Sequence, residues 1–237
     1  MAAPAERGAP ARSDGADAPG APLAGGQRPA AVIVFARAPL RGRVKTRLAA
    51  TIGDDAALLA HRELLHATVG VAASLLGHPD FGEGSVELCI DGADPEGECA
   101  ALARRLGVRL GRQLGSDLGV RMHSALARAL QGGRLPVLVG SDCPELQAGD
   151  LLEALALLRR RDAVFAPAED GGYVLVGLAR ECPALFEGVT WGGPDVMDQT
   201  RARLRVEGIR WAELRTLWDV DRHEDWLRWR GACDAQA

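Results

Sequence analysis

The chain has 237 residues, of which 47% are hydrophobic and 25% charged, enough to close a substantial core within one domain of ordinary size. A formal net charge of −4 gives no overall field that would draw in nucleic acid or an anionic membrane, and no apolar run approaches the roughly 18 to 20 residues a bilayer span needs. The five cysteines (Cys89, Cys99, Cys143, Cys182, Cys233) are scattered, odd in number and without a CxxC pair. They suggest neither a disulfide framework nor a zinc site, which fits a cytoplasmic location.

Met1–Pro29 is rich in Ala, Pro and Gly, shows no strand or helix period, and lacks the basic start and apolar core of a signal peptide. Glu6, Asp14 and Asp17 speak against a transit peptide. This stretch reads as a disordered tail, residues 1–29, ahead of one domain over residues 30–232.

From residue 31 short apolar strands alternate with helical stretches. Ala31–Arg37 is a compact β-branched run, and Asp54–Leu76 places Ala57, Leu58, Leu64, Leu65, Val69 and Ala72 at helical spacing. Ser85–Ile90 reads as a strand, Pro95–Leu106 as a helix with proline in its first turn, and Val108–Gln113 as a short strand. Asp117–Leu130 is a helix with Met122, Leu126 and Leu130 on one face, followed by the strand Leu135–Gly140. Then come a helix at Ala148–Arg161, strands at Ala163–Pro167 and Gly172–Leu178, and a helix at Asp195–Val206. Arg210–Leu217 is extended and Glu224–Arg230 helical.

Strands separated by helices of this length imply parallel pairing through right-handed crossovers. Runs such as AVIVFA and LPVLVG are apolar on both faces, as expected where helices cover each side of the sheet. The expected class is α/β, with a mostly parallel central sheet. Ligands in such sheets bind beyond the carboxyl ends of the strands, so chemistry is sought in the residues just after them.

Five cations, Arg37, Arg41, Arg43, Lys45 and Arg47, follow the first strand with no acid among them. Gly42 lets the backbone bend there, and Lys45 with the arginines suits a di- or triphosphate. A solvated basic loop explains the segment about as well. It is not a Walker A loop, because Val44 rather than glycine precedes Lys45.

Asp142 lies just past Leu135–Gly140 in PVLVGSDCPEL and suits a Mg²⁺ or Mn²⁺ bound together with substrate phosphates. Capping of the following turn is the competing role. Cys143 is a packed side chain rather than a nucleophile, since no histidine is placed beside it. Asp219 and Asp221, two apart in an extended stretch, face one side and can address one cation, although two acids in a surface turn are commonplace. Glu169-Asp170-Gly171-Gly172-Tyr173 joins two strands, either as a site where backbone approaches a ligand or as a plain hairpin turn. Trp191 is suited to stacking on a sugar or base, or to packing. HRELLH (His61–His66) is not HExxH, and its histidines lie about 140° apart around a helix. Asp142, His223 and a serine form no triad without a GxSxG elbow.

FARAPLRGRVKTRL, QLGSDLGVRM, GSDCPEL, APAEDGGYVLVGL, GVTWGGPDV and DVDRHEDW occur in an order that resembles the DUF2064 family. That family is also labelled as arsenosugar-biosynthesis-type glycosyltransferases, within the nucleotide-diphospho-sugar transferase (GT-A) superfamily. The likeness covers roughly residues 31–230 and implies a Rossmann-like GT-A sandwich. It implies that Lys45 and Arg47, with Arg37 and Gly42 of the same loop, contact phosphate, and that Asp142, Asp219 and Asp221 hold Mg²⁺ or Mn²⁺. Asp170, Gly171 and Gly172 match the turn beside the sugar or acceptor, and Trp191 opens the loop beside it. The chain departs from the pattern at Gly192 and Gly193, where relatives carry hydroxyls, and Asp142 has no second acid two residues on. The expected activity is transfer of a sugar from a nucleotide-sugar to a small acceptor, with Lys45, Asp142 and Asp170 at the chemistry. The alternative is joining an NTP to a phosphorylated small molecule with release of pyrophosphate. Neither needs nucleic acid or a membrane as partner.

Overall fold

The structure, a computed structural model, describes residues 28–234. In chain order its elements are β1 (Ala30–Arg37), α1 (Thr46–Ile52), α2 (Asp54–Ala73), β2 (Ser85–Asp91), α3 (Glu98–Leu106), β3 (Arg109–Arg112) and α4 (Leu118–Gln131). There follow β4 (Leu135–Gly140), α5 (Ala148–Leu158), β5 (Ala163–Pro167), β6 (Tyr173–Leu178), a 3₁₀ turn at Pro183–Leu185, α6 (Val196–Val206), β7 (Trp211–Glu213) and α7 (His223–Asp234). The expected tail lies outside the described residues except for its last two. Of these, Arg28 donates to the Ala179 carbonyl at 2.8 Å and Pro29 accepts from the Leu135 amide at 2.9 Å.

The seven strands form one sheet in the order β3-β2-β1-β4-β6-β5-β7. β1 runs parallel to β2 and β4, with Arg37 opposite Asp91 and Phe35 opposite Gly140. The carboxyl ends of β1, β2 and β4 therefore finish together at one edge. The sheet is mostly parallel as expected, and the exception is β6, which is antiparallel to both β4 and β5 as the hairpin reading of Glu169–Tyr173 requires. The connection from β5 is only the tight turn through Gly171, whose φ of 89° permits the reversal. A connection that short closes only an antiparallel pair, because parallel strands need a crossover of a dozen residues or more.

Alternating side chains send the two faces of the sheet into two cores. Val32, Val34, Val137 and Val139 pack under α2, α3 and α5, while Ile33, Phe35, Leu138 and Phe165 pack under α4 and α6. A third cluster joins Leu48 of α1, Ala60 and Leu64 of α2, and Trp218 and Val220, with Trp226 and Trp229 of α7 laid against it. This last cluster clamps the C-terminal segment over the sheet edge where β1 and β4 end.

Several expected boundaries shift for local reasons. The helix expected from Pro95 begins at Glu98, because Asp94 reaches over the intervening turn to accept the Cys99 and Ala100 amides. The stretch before Asp54 contains a separate short helix, α1, which ends where Gly53 takes φ 84°. Helices expected to reach Leu76 and Arg161 stop at Ala73 and Leu158. The extended segment 210–217 joins the sheet through Trp211–Glu213 and through Leu217, which bridges to Ala168.

Candidate functional site

Beyond the carboxyl edge lies a crevice of about 650 Å³. Arg37, Lys45, Arg47, His61, Asp142 and Asp221 line one part of it, and Asp91, Gln113, Asp117 and Arg121 another. Its position is the one the strand topology dictates.

After β1 the chain bends at Gly42 (φ 71°) and reaches Lys45, the one non-glycine residue with positive φ (47°) among those described. A residue with a β-carbon takes this conformation at a cost of about 1–2 kcal/mol, and such positions cluster where surrounding contacts over-determine them. Here the contacts are explicit. The Lys45 side chain is only 3% exposed, and its Nζ lies 2.9 Å from Asp142 Oδ1 while donating to the Val220 carbonyl. The Val220 amide in turn donates to the Asp142 carbonyl at 2.9 Å. One lysine thus ties together the loop after β1, the end of β4 and the segment before α7.

Asp142 has 42% of its side chain open to the crevice. Burial disfavours its charge, yet Lys45, His61 and the Ser141 hydroxyl outweigh that and hold its carboxyl below the usual carboxylate range. Its Oδ2 has no partner among the described residues.

Asp219 behaves in the opposite way. Burial, together with Asp170, Asp142 and Asp221, pushes its carboxyl up to about 6 against a weaker pull from Lys45. Asp221 is compensated, since its Oδ2 accepts from Arg47 at 2.7 Å.

The cation fit follows from these pairings. Among the described residues no three His, Cys, Asp or Glu side chains already form a metal cage. The free Oδ2 of Asp142 and the uncompensated Asp219 instead suit a hard cation that arrives with a diphosphate and takes one or two carboxylates from the protein. The donor set fits Mg²⁺ or Mn²⁺ in that form.

His61 belongs to the site although its motif gave no reason to select it. It is buried, its Nε2 donates to the Arg37 carbonyl at 3.0 Å, and its Nδ1 lies 4.0 Å from Asp142 Oδ1. Burial pushes its pKa down against the pull of Asp142. HRELLH lacks the spacing of a metal motif, yet α2 delivers its first histidine behind the carboxylate.

The other expected residues are placed as follows. Arg37 lines the crevice, while Arg41 turns away to Asp55 at 2.6 Å. Gly42 shapes the loop beside Asp54 and is not in the crevice wall. Asp170 accepts the Gly172 amide at 2.9 Å through Oδ1, and a β-carbon on Gly171 would fall 1.8 Å from the Pro194 carbonyl oxygen. The Asp170-Gly171-Gly172 turn therefore packs against the Trp191–Pro194 loop. Trp191 stands edge-on to Tyr173 at 6.2 Å and presses against Gly119. It is Tyr173 and Val174, next along the chain, that reach the crevice wall. Cys143 is buried with its thiol pushed up to about 11 by burial, so it stays protonated at neutral pH.

Asp91, Gln113, Asp117 and Arg121 did not stand out in the sequence. The same rule that selected Asp142 pointed to the first two, because Asp91 ends β2 and Gln113 directly follows β3.

No helix among the described residues is long and apolar enough to cross a membrane. The Rossmann-like sheet carries its crevice at the carboxyl edge, where α/β folds of this class bind their ligands. The chain belongs to the DUF2064 family, described as uncharacterized proteins conserved in bacteria, whose model matches residues 77–193. It is 31% identical to a Desulfovibrio desulfuricans G20 protein described as a "putative nucleotide-diphospho-sugar transferase". That likeness covers 83% of this chain and 84% of the other, at a TM-score of 0.68. The fold is shared with a 4-diphosphocytidyl-2C-methyl-D-erythritol synthase from Anaerococcus prevotii, at 13% identity, 87% and 96% coverage and a TM-score of 0.58. A nucleotidyl transferase from Methanothermobacter shares it too, at 15% identity, 87% and 98% coverage and a TM-score of 0.54. No curated protein matches the sequence.

Proposed function

We propose that the protein is a cation-dependent glycosyltransferase of the cytoplasm that moves a sugar from a nucleotide-sugar to a small acceptor. The observation that carries this is the Lys45–Asp142 couple at the crevice, set beside the uncompensated Asp219. The 31% identical relative, described as acting on nucleotide-diphospho-sugars, supports the substrate class.

Lys45, Arg37 and Arg47 meet the diphosphate, with Lys45 already held rigid at the head of the crevice. Asp142, Asp219 and Asp221 hold Mg²⁺ or Mn²⁺. When bound, that ion neutralises diphosphate charge and makes the nucleoside diphosphate a better leaving group. Arg47 and Asp221 are paired in the free protein and partly exposed, so each is able to exchange partner, Arg47 for a phosphate and Asp221 for the cation it would help to hold. In the reaction the bond from the sugar's anomeric carbon to phosphate oxygen breaks, and its electron pair leaves with the nucleoside diphosphate. The acceptor oxygen bonds to that carbon and gives up its proton to the Asp170 carboxylate. Asp170, which lies within electrostatic reach of Asp219 and Arg47, is the proposed acceptor-side group.

Arg37, Lys45 and Arg47 at the crevice also suit a triphosphate, which keeps nucleotidyl transfer as the second reading. Products separate the two. Incubation with a panel of nucleotide-sugars and NTPs plus Mn²⁺ should release free nucleoside diphosphate. Pyrophosphate from an NTP would replace the first reading with the second.

A further inference from the structure

The part of the crevice under β2 and β3 carries a second arrangement of polar groups, unrelated to phosphate chemistry. Gln113 donates from its single amide nitrogen to two backbone carbonyls, Ala36 and Cys89, both at 3.0 Å. Both amide hydrogens are spent, so the orientation of the group is fixed and Oε1 is what it offers to the crevice. Oε1 has no partner among the described residues. Beside it, Asp91 is held by Arg121, Nη1 to Oδ2 at 2.7 Å, while Arg121 Nε donates to the Gly115 carbonyl. Asp91 Oδ1 and the remaining guanidinium hydrogens stay free. The wall here is apolar: Phe35 from β1, and Leu118 and Met122 from the first turns of α4.

The strand order sets the spacing. β3 and β2 lie two to three strands from β4, which at 4.7–4.9 Å per strand is roughly 10–14 Å from Asp142. That separation suits the reach of a nucleoside diphosphate from base edge to outer phosphate. Two fixed acceptors next to one arginine donor match a base edge that presents two donors and one acceptor. Guanine has this edge, with N1–H and the 2-amino group beside O6. Adenine and cytosine offer one donor group on theirs, and uracil one donor between two acceptors.

On the nucleotide reading above, we propose that this end of the crevice selects guanine, with Asp91 accepting from its 2-amino group, Gln113 accepting from its N1–H and Arg121 donating to O6. The ligand class is then a guanosine diphosphate sugar. Apolar side chains Leu118 and Met122 cover the ring.

The test is equilibrium binding of GDP, IDP, XDP, ADP, CDP and UDP, each with Mn²⁺, to the full chain and to Asp91→Asn. GDP should bind tightest. IDP, which lacks the 2-amino group, should be weaker by roughly 10- to 100-fold, the usual loss when a hydrogen bond to a charged group is removed. In Asp91→Asn the new amide donor faces the 2-position, so preference should pass to XDP, whose 2-oxo group accepts. Equal affinity across the wild-type panel, or preference for ADP, CDP or UDP, would overturn the guanine assignment and leave the nucleotide reading standing. Binding by none of the six would remove the nucleotide reading itself and this inference with it. Should Asp91→Asn fail to fold, the wild-type ratio of GDP to IDP decides alone.

Discussion

Two neighbouring carboxylates, Asp142 in the crevice wall and Asp219 behind it, live under opposite conditions. Asp142, just after β4, has a buried lysine on one oxygen and titrates below the ordinary range. Asp219, in the segment before α7, is pushed up to about 6 by burial and by Asp170, Asp142 and Asp221, against a weaker pull from that lysine. The β4 end is complete in the free protein. The C-terminal segment holds an unbalanced negative charge that a cation would relieve. A preassembled lysine–carboxylate couple beside an unsatisfied acid is what a site needs if its cation comes and goes with substrate.

The comparison breaks most severely if Lys45 is removed. Lys45→Met leaves Asp142 and the Val220 carbonyl without their donor. It should cost about 2–4 kcal/mol in denaturant unfolding, at the low side for a buried pair because Asp142 opens to the crevice. Turnover should fall by roughly 10²–10³, as when a donor to developing charge is lost. Asp219→Asn should do the reverse to the free protein. It should raise the melting temperature of the cation-free form while weakening Mn²⁺-dependent nucleotide binding by about tenfold or more. A lower melting temperature would mean that Asp219 is structural.

The two acids also make opposite contributions to stability with pH. Asp142, with its pKa lowered on folding, stabilises above the unfolded value of 3.8, and that contribution is lost as pH falls through its folded value. Asp219, raised to about 6, makes the native state hold an extra proton between about 4 and 6. Its contribution therefore declines as pH rises through that window. Without cation, thermal melts of wild type and Asp219→Asn should converge toward pH 4 and diverge toward pH 7. Mn²⁺ affinity should rise across the same interval as Asp219 ionises. The smallest effect is expected for Arg47→Ala. Its pair with Asp221 is partly exposed, so stability should change by under about 1 kcal/mol, while nucleotide affinity drops severalfold.

The layout of strands was legible because fully buried strands leave continuous apolar runs, and β4 and β5 appear within the bounds their sequence indicates. The direction of β6 was legible only as one of two readings of Glu169–Tyr173, because a two-sided apolar run reads the same in either sense, and the tight turn through Gly171 makes it the hairpin. Lys45 and Asp142 were legible as a loop cation and a strand-end acid. Their pairing, and the left-handed backbone that permits it, come from the fold. His61 was hidden because helical periodicity shows which face is buried without showing that one turn of that face reaches the sheet edge. The glycines of the Asp170 turn allow either a ligand's approach or a plain hairpin turn in the sequence, and in the fold the Pro194 backbone lies close against Gly171. A missing β-carbon marks crowding and does not say what crowds it.

The central claim is that Asp142 holds a nucleotide through a cation. Calorimetric titration of nucleoside diphosphate with and without Mn²⁺, on wild type and on Asp142→Asn of verified fold, tests it most directly. The account predicts that Mn²⁺ strengthens binding to wild type and has little effect on the variant. Equal strengthening in both would contradict it.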